Sequence, residues 1–301
     1  MTISRSQQIS LHHTPWYHCT SRCVRRAFLC GKDRYTGQSY EHRKDWLEHR
    51  FVDLSSIFAI ALGAYAVMSN HYHVVVRIDA DRAETWSDEE VLERWGQVFS
   101  VGDDDSPERV ALYRKRLASL SWYMRCINEA LARQSNREDG CKGRFWEGRF
   151  GCQALLDESA IIRCMTYVEL NPIRADIAKT TETSEHTSVK VRIEGRDGGL
   201  LGFIDQGGPI PLTRLEYFEL VDWTARQVHR DKRGKMPDHL PPIVERLGYS
   251  GRGWQREMQS YGKWYARAVG TLSSLERYCK HLGQRWLKGS GYCQGQIAGK
   301  A

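Results

Sequence analysis

A chain of 301 residues, 41% hydrophobic and 27% charged, has enough apolar surface for one large domain or two smaller ones without covalent staples. Its 44 Lys and Arg against 37 Asp and Glu leave a formal charge of +7. No run of 18 apolar residues and no charged-then-apolar leader occurs, which argues against a helical membrane span or export and predicts a soluble cytoplasmic protein. The nine cysteines are irregularly spaced, as expected of reduced thiols rather than a disulfide framework.

Pro15 to Ser21 alternates as a first strand, with Trp16, His18 and Thr20 on one face and Tyr17 and Cys19 on the other. Arg22 follows, placed to touch phosphate or solvent. Residues 43–56 carry a helical stripe of Trp46, Leu47, Phe51 and Leu54. The almost continuously apolar run from Ile57 to Met68 reads as a second strand, Ser69-Asn70 as a turn, and the β-branched run ending at Ile78 as a third strand. On that third strand His71 and His73 point to one side, and Tyr72, Val74 and Val76 to the other. Two imidazoles at i and i+2 suit two ligands of one divalent cation. The plainer reading is one imidazole satisfying a local hydrogen bond and one facing solvent. Polar residues on so apolar a strand, however, call for a partner or a purpose.

Residues 79–107 are acidic and partly helical, closing on a turn at 103–107. One long helix is expected over 107–134, burying Val110, Leu117, Leu120, Trp122, Met124 and Ile127. The glycine-rich stretch 140–156 combines Arg144 and Arg149 with Phe145, Trp146 and Phe150. This is the composition of a single-strand groove, or of a loop feeding a strand at 149–155. Asp157 then caps a helix that turns Ile161, Cys164, Met165 and Val168 to the core. Tyr167 lies off that stripe, with Arg163 four residues before it and Asn171 four after, so one helix face offers guanidinium, phenol and carboxamide in a row. Asn171 precedes Pro172 and is also a good N-cap for a new turn there.

Residues 181–212 are polar and glycine-rich, a linker or an excursion over the surface. Thr213 with Glu216, and Ser273 with Glu276, form two capping-box signatures for amphipathic helices. Residues 241–269 allow either a helix-turn-helix-like unit or a helical packing appendage. Positions 221–301 hold 15 Lys or Arg against 6 Asp or Glu, an excess of +9 that leaves residues 1–220 at −2. Trp223, Trp254, Trp264 and Trp286 are interleaved with that charge, which suits a nucleic-acid surface as well as a solvated helical face backed by a core.

The stretch Met68-Ser69-Asn70-His71-Tyr72-His73-Val74-Val75-Val76, followed by Tyr167-Val168-Glu169-Leu170-Asn171-Pro172-Ile173-Arg174-Ala175, resembles the HUH single-tyrosine transposases. Within them it is most similar to the REP-associated tyrosine transposases, and Gly-Arg-Phe-Trp-Glu-Gly-Arg-Phe at 143–150 fits that branch. The resemblance covers roughly residues 14–180 and implies an α+β fold. That fold is a ferredoxin-like antiparallel sheet with helices on its faces, followed here by a mainly helical C-terminal region. It implies a catalytic domain over 1–180, a linker or excursion over 181–212, and a basic helical region over 213–301 that binds DNA or packs.

The same resemblance implies that His71, His73 and the amide of Asn171 hold Mg²⁺ or Mn²⁺. Tyr167 would be the nucleophile that forms a 5′-phosphotyrosine on single-stranded or hairpin DNA, in a bacterial, nucleoid-associated setting. Arg22, Arg144, Arg149, Arg163 and Arg174 are the candidate DNA contacts. Tyr72 stands where relatives often carry an aliphatic residue. Two other functions remain open: a domesticated, non-catalytic DNA-binding protein on the same scaffold, and a replication-initiator-type HUH nuclease. Whether the protein acts as a monomer or a homodimer is equally open.

Overall fold

The computed structural model describes residues 4–24, 30–32, 37–102, 105–228 and 242–292. Positions 103–104 of the acidic turn lie outside the described residues. Strand β1 (Trp16–Arg22) is followed by helix α1 (His42–Ile57), then by a hairpin of β2 (Ile60–Val67) and β3 (His71–Ile78) turning at Ser69-Asn70. A long helix, α2 (Leu120–Glu138), precedes β4 (Gly151–Leu155). The order across the sheet is β2-β3-β1-β4-β5, and the pairs among the first four strands are antiparallel. A β-α-β-β-α-β chain with this order is the ferredoxin-like arrangement, so the molecule is α+β. The fifth strand, β5 (Ala268–Val269), comes from the C-terminal region and adds to β4 in parallel, making the sheet mixed.

Helix α1 buries Leu47, Phe51 and Leu54, and α2 buries Leu120, Tyr123, Met124, Ile127 and Leu131, each set at the three- and four-residue spacing of one helical face. Both helices cover the face that carries Tyr72. Phe51 lies 5.2 Å from the Tyr72 ring, and the Tyr72 hydroxyl donates to Asn128 at 2.7 Å. On the opposite face lies α3 (Glu158–Glu169), capped by Asp157, whose side chain accepts from the Ala160 N–H. The single helix expected over 107–134 is two helices, Pro107–Leu117 and Leu120–Glu138. The Leu117 carbonyl accepts from Ala59 N–H at 3.0 Å, and Ser119 is extended, so the helical ladder ends there and the chain turns.

Residues 181–212 lie against the outer strand. Ala66 bridges Thr187, Leu62 bridges Leu200, and the buried Arg192 donates to the Gly63 and Leu201 carbonyls. The C-terminal region supplies α4 (Arg214–Val228), α5 (Gly251–Trp264) and α6 (Leu272–His281). The Thr213/Glu216 capping box forms in both directions. The second cap falls two residues early: Thr271, not Ser273, accepts from Ser274 N–H, and its own N–H donates to Asp157 at 2.6 Å. In the 241–269 segment, α5 turns Trp254, Glu257, Met258 and Tyr261 inward onto the protein, the disposition of a packing helix.

Two buried polar anchors fasten α3. Arg163 and Glu257 of α5, 2% and 0% exposed, pair at 3.1 Å, and the same guanidinium donates to Tyr265 Oη at 2.8 Å. Glu169 accepts from Ser188, from the Val189 N–H and from the Tyr217 hydroxyl, and burial raises its pKa against those bonds. Removing one partner of a fully buried pair leaves an uncompensated charge. Glu257→Ala should therefore cost about 3–5 kcal/mol in urea unfolding, whereas the paired change Arg163→Met/Glu257→Leu should cost less than that single one. Equal losses in both would mean that the ion pair is not what ties α5 to α3.

Candidate active site

Antiparallel pairing decides which side chains meet. Thr20 of β1 stands opposite His73 of β3, and His18 stands opposite both Val75 of β3 and Gln153 of β4. Directly paired residues share a face, and diagonal neighbours lie within reach of long side chains, so His18, His73 and Gln153 converge on the face that α3 covers. The His18 Nε2 to His73 Nδ1 distance is 2.9 Å, and His18 Nδ1 lies 2.9 Å from Gln153 Oε1. His71 is half-buried one row further along, opposite Arg22, with Nδ1 on the Asn70 side-chain oxygen at 2.5 Å.

From α3, Tyr167 stands edge-on to this group, its ring centroid 5.9 Å from His73 and 6.3 Å from His18, at interplanar angles of 89° and 76°. The Arg174 guanidinium lies 4.8 Å over the same ring, and Tyr261 of α5 stacks on it at 4.5 Å. Gly262 is set by this approach: a Cβ there would come within 3.0 Å of the Tyr167 hydroxyl. A cavity of about 190 Å³ opens between His18, His73, Gln153, Tyr167 and Tyr261.

Burial dominates the electrostatics. It lowers the pKa of His18 and of His71 to about 4 and that of His73 well below its usual value, so all three imidazoles are neutral at pH 7. Desolvation also raises the Tyr167 pKa, opposed by the positive charge of Arg174. The phenol is therefore protonated at neutral pH and needs a cation or a base to become a nucleophile.

The donor set fits a divalent cation on one specific observation: Nε2 of His73 is buried and has no hydrogen-bond partner. His71, whose Nδ1 is taken by Asn70, is likewise left with Nε2. Asn171 does not cap the turn at Pro172. Its amide nitrogen donates backward to the Tyr167 and Val168 carbonyls, at 3.0 and 3.3 Å, so that only Oδ1 could serve a cation. A separate group, Asp45, Glu48 and His186, also gathers potential metal ligands. There the side chains already partner one another, with His186 Nδ1 2.7 Å from Glu48, while Tyr65 donates to the other Glu48 oxygen.

The candidate DNA contacts separate. Arg22 and Arg149 are exposed; Arg144 is exposed but folds onto the carbonyls of Trp146 and Glu147. Arg174 lies at Tyr167 with its Nη1 buried and unpartnered. Arg163, expected on the DNA face, is interior, because its position on α3 faces α5 and Glu257 neutralises it. Sequence reading passed over His18, Gln153 and Tyr261. His18 carried the signal already used for His71 and His73, a polar residue on a buried strand. Gln153 carried none and Tyr261 only that of an aromatic among the basic residues of 221–301, since only the register of β4 and the docking of α5 bring them in.

No helix among the described residues is long and apolar enough to cross a membrane. No disulfide links the eight cysteines described. No protein-family profile matches the chain, and neither does any curated protein. Among solved structures, the chain is similar to that of a REP-associated tyrosine transposase bound to a REP hairpin. The identity is 14% and the TM-score 0.34, over 67% of this chain and 90% of the other, a likeness too slight to carry an argument.

Proposed function

We propose that this protein is a metal-dependent single-stranded DNA endonuclease and strand transferase that cuts and rejoins hairpin-forming DNA through a 5′-phosphotyrosine on Tyr167. The observation that carries this reading is the edge-on approach of Tyr167 to His73, whose Nε2 is buried without a partner. His71, His73 and Asn171 would hold Mg²⁺ or Mn²⁺. When bound, such an ion polarises a scissile phosphate and stabilises the charge that builds on it. The buried Nη1 of Arg174 is suited to a phosphate oxygen at the same point, and its charge favours the phenolate.

In the reaction, Tyr167 Oη forms a bond to phosphorus and the bond to O3′ breaks. The phenolic proton passes to solvent and the leaving 3′-oxygen ends as a hydroxyl. Attack by a 3′-hydroxyl on the phosphotyrosine reverses the step, so rejoining conserves the phosphodiester energy without ATP. A second cleft, about 480 Å³, shares Ala266 with the cavity at Tyr167 and is lined by Arg267, Arg285, Lys288 and the 70%-exposed Trp286, with no acidic side chain among its described lining residues. Cations with an open indole face suit the strand beyond the cleaved bond, whose phosphates and unstacked bases they would take.

The close cover of Tyr167 by Tyr261 and Gly262 favours a second reading, a DNA-binding protein without chemistry. Covalent capture separates the two. Incubation with a hairpin oligonucleotide and Mn²⁺, followed by a denaturing gel, should give a protein–DNA adduct that Tyr167→Phe abolishes while binding is retained. His71→Ala, His73→Ala and excess chelator should each remove the adduct as well. An adduct in the Phe variant would move the nucleophile elsewhere, and no adduct in the wild type would leave the non-catalytic reading.

The second cleft makes a separate expectation. Trp286→Ala should weaken single-strand binding by about 1–3 kcal/mol, the usual worth of one base stack. Arg285→Ala should lower the magnitude of the log–log salt slope by roughly 0.7. Fluorescence anisotropy over a salt series measures both; unchanged affinity and slope would remove this cleft from the DNA path.

A further inference from the structure

We propose that His18 and Gln153 form a two-link relay that fixes the tautomer of His73 and so holds His73 Nε2 as a bare lone pair for a divalent cation. The inference rests on the metal-dependent reading above and assigns to it two positioning residues outside the His-x-His pair.

A neutral imidazole has one N–H and one lone pair, and whichever nitrogen loses its choice fixes the other. The Gln153 amide presents Oε1 to His18 Nδ1 at 2.9 Å, and a carbonyl oxygen only accepts. His18 Nδ1 therefore carries the proton and its Nε2 is a lone pair. That lone pair faces His73 Nδ1 at 2.9 Å, so His73 Nδ1 must donate. His73 Nε2 is then an acceptor with nothing to accept from, buried in the wall of the cavity beneath Tyr167. The opposite direction of the chain would bury an N–H there with no acceptor, a group that no cation can use.

The geometry favours a true relay over two stacked rings. The His18 and His73 planes are within 16° of parallel, and their centroids are 5.1 Å apart, about two ring radii longer than the N···N distance. That is an end-to-end N–H···N contact lying nearly in both ring planes. All three residues sit on strands, whose register holds His18 opposite Gln153 and one diagonal step from His73. Gly151, in the His73 row of β4, keeps the rows close: a Cβ there would meet Thr20 Oγ1 at 2.5 Å. Partners of this kind orient metal-bound imidazoles and raise their basicity, and their loss typically weakens metal affinity by about 10–100-fold.

The test uses the full chain with ¹⁵N-labelled imidazoles, first free of metal and then titrated with MnCl₂, with Mn²⁺ affinity measured by calorimetry. In the metal-free wild type, the nitrogen shifts should report His73 protonated on Nδ1 alone. His18→Ala and Gln153→Met should mix its tautomers and weaken Mn²⁺ binding by about 10–100-fold. Gln153→Glu, which still only accepts, should keep the wild-type tautomer. Gln153 is half-buried, so its variants decide the matter even where His18→Ala does not fold. The proposal is overturned by a wild-type His73 protonated on Nε2, or by a His73 tautomer unchanged in Gln153→Met, whatever its affinity. If the wild type takes up no Mn²⁺ at these histidines, the metal-dependent reading fails. The tautomer comparison in metal-free protein then still decides the relay by itself.

Discussion

The register between β1 and β3 is the constraint on which the rest of this site depends. With Thr20 opposite His73, the imidazoles of His18 and His73 share one face while Tyr17, Cys19, Tyr72 and Val74 share the other. A slip of β3 by one residue would send His71 and His73 into the apolar layer beneath α1 and α2, away from His18, and would turn Tyr72 toward Tyr167. The apolar set therefore specifies the polar one. Tyr72 packs on Phe51 and bonds Asn128, and that anchoring is what presents His71 and His73 to the opposite side.

Buried polar contacts hold α3, and with it Tyr167, at the middle of the helix and at its C-terminal end. The Arg163–Glu257 pair fixes the middle of the helix to α5, and Glu169 fixes its end to the 181–212 segment and to α4. Such contacts add less net stability than apolar packing of the same volume, but they tolerate few alternative arrangements, since each misplacement leaves a charge or donor unsatisfied. Tyr167 is then positioned by what flanks it: His73 edge-on, the Arg174 guanidinium over the ring and Tyr261 stacked against it. The C-terminal region thus joins the same sheet and the same cavity wall as the segment that carries the His-x-His pair.

The basic excess of the C-terminal region divides by location. Helix α5 turns Trp254 and Tyr261 fully inward, while Trp264 at its end is half-buried against Tyr292. Exposed cations run along α5 and α6, at Arg252, Arg256, Lys263, Arg277 and Lys280, whereas the 70%-exposed Trp286 shares its cleft beside the cavity at Tyr167 with Arg285 and Lys288. Charge counted along a sequence cannot separate these two uses, because it is blind to which side of a helix meets the core.

Much of the scaffold was legible because local patterns are sufficient to specify it. Alternation named β1, β-branched runs with a Ser-Asn turn named the β2–β3 hairpin, and three- and four-residue spacing named α1 and α3. The same logic put His71 and His73 on one face, put Tyr167 off the apolar stripe, and located the Asp157 and Thr213 caps. Local patterns did not determine the break between Leu117 and Leu120, which a bond from Ala59 imposes, nor the inward turn of Arg163, which Glu257 imposes from 94 residues away. They also could not link His18, Gln153 and His73, since one spans 135 residues to the next and only sheet register joins them. The sequence by itself determined which residues stand on which face of each element. Which faces meet was decided by the tertiary structure, because burial, pairing and the loss of solvent act between elements far apart in the chain.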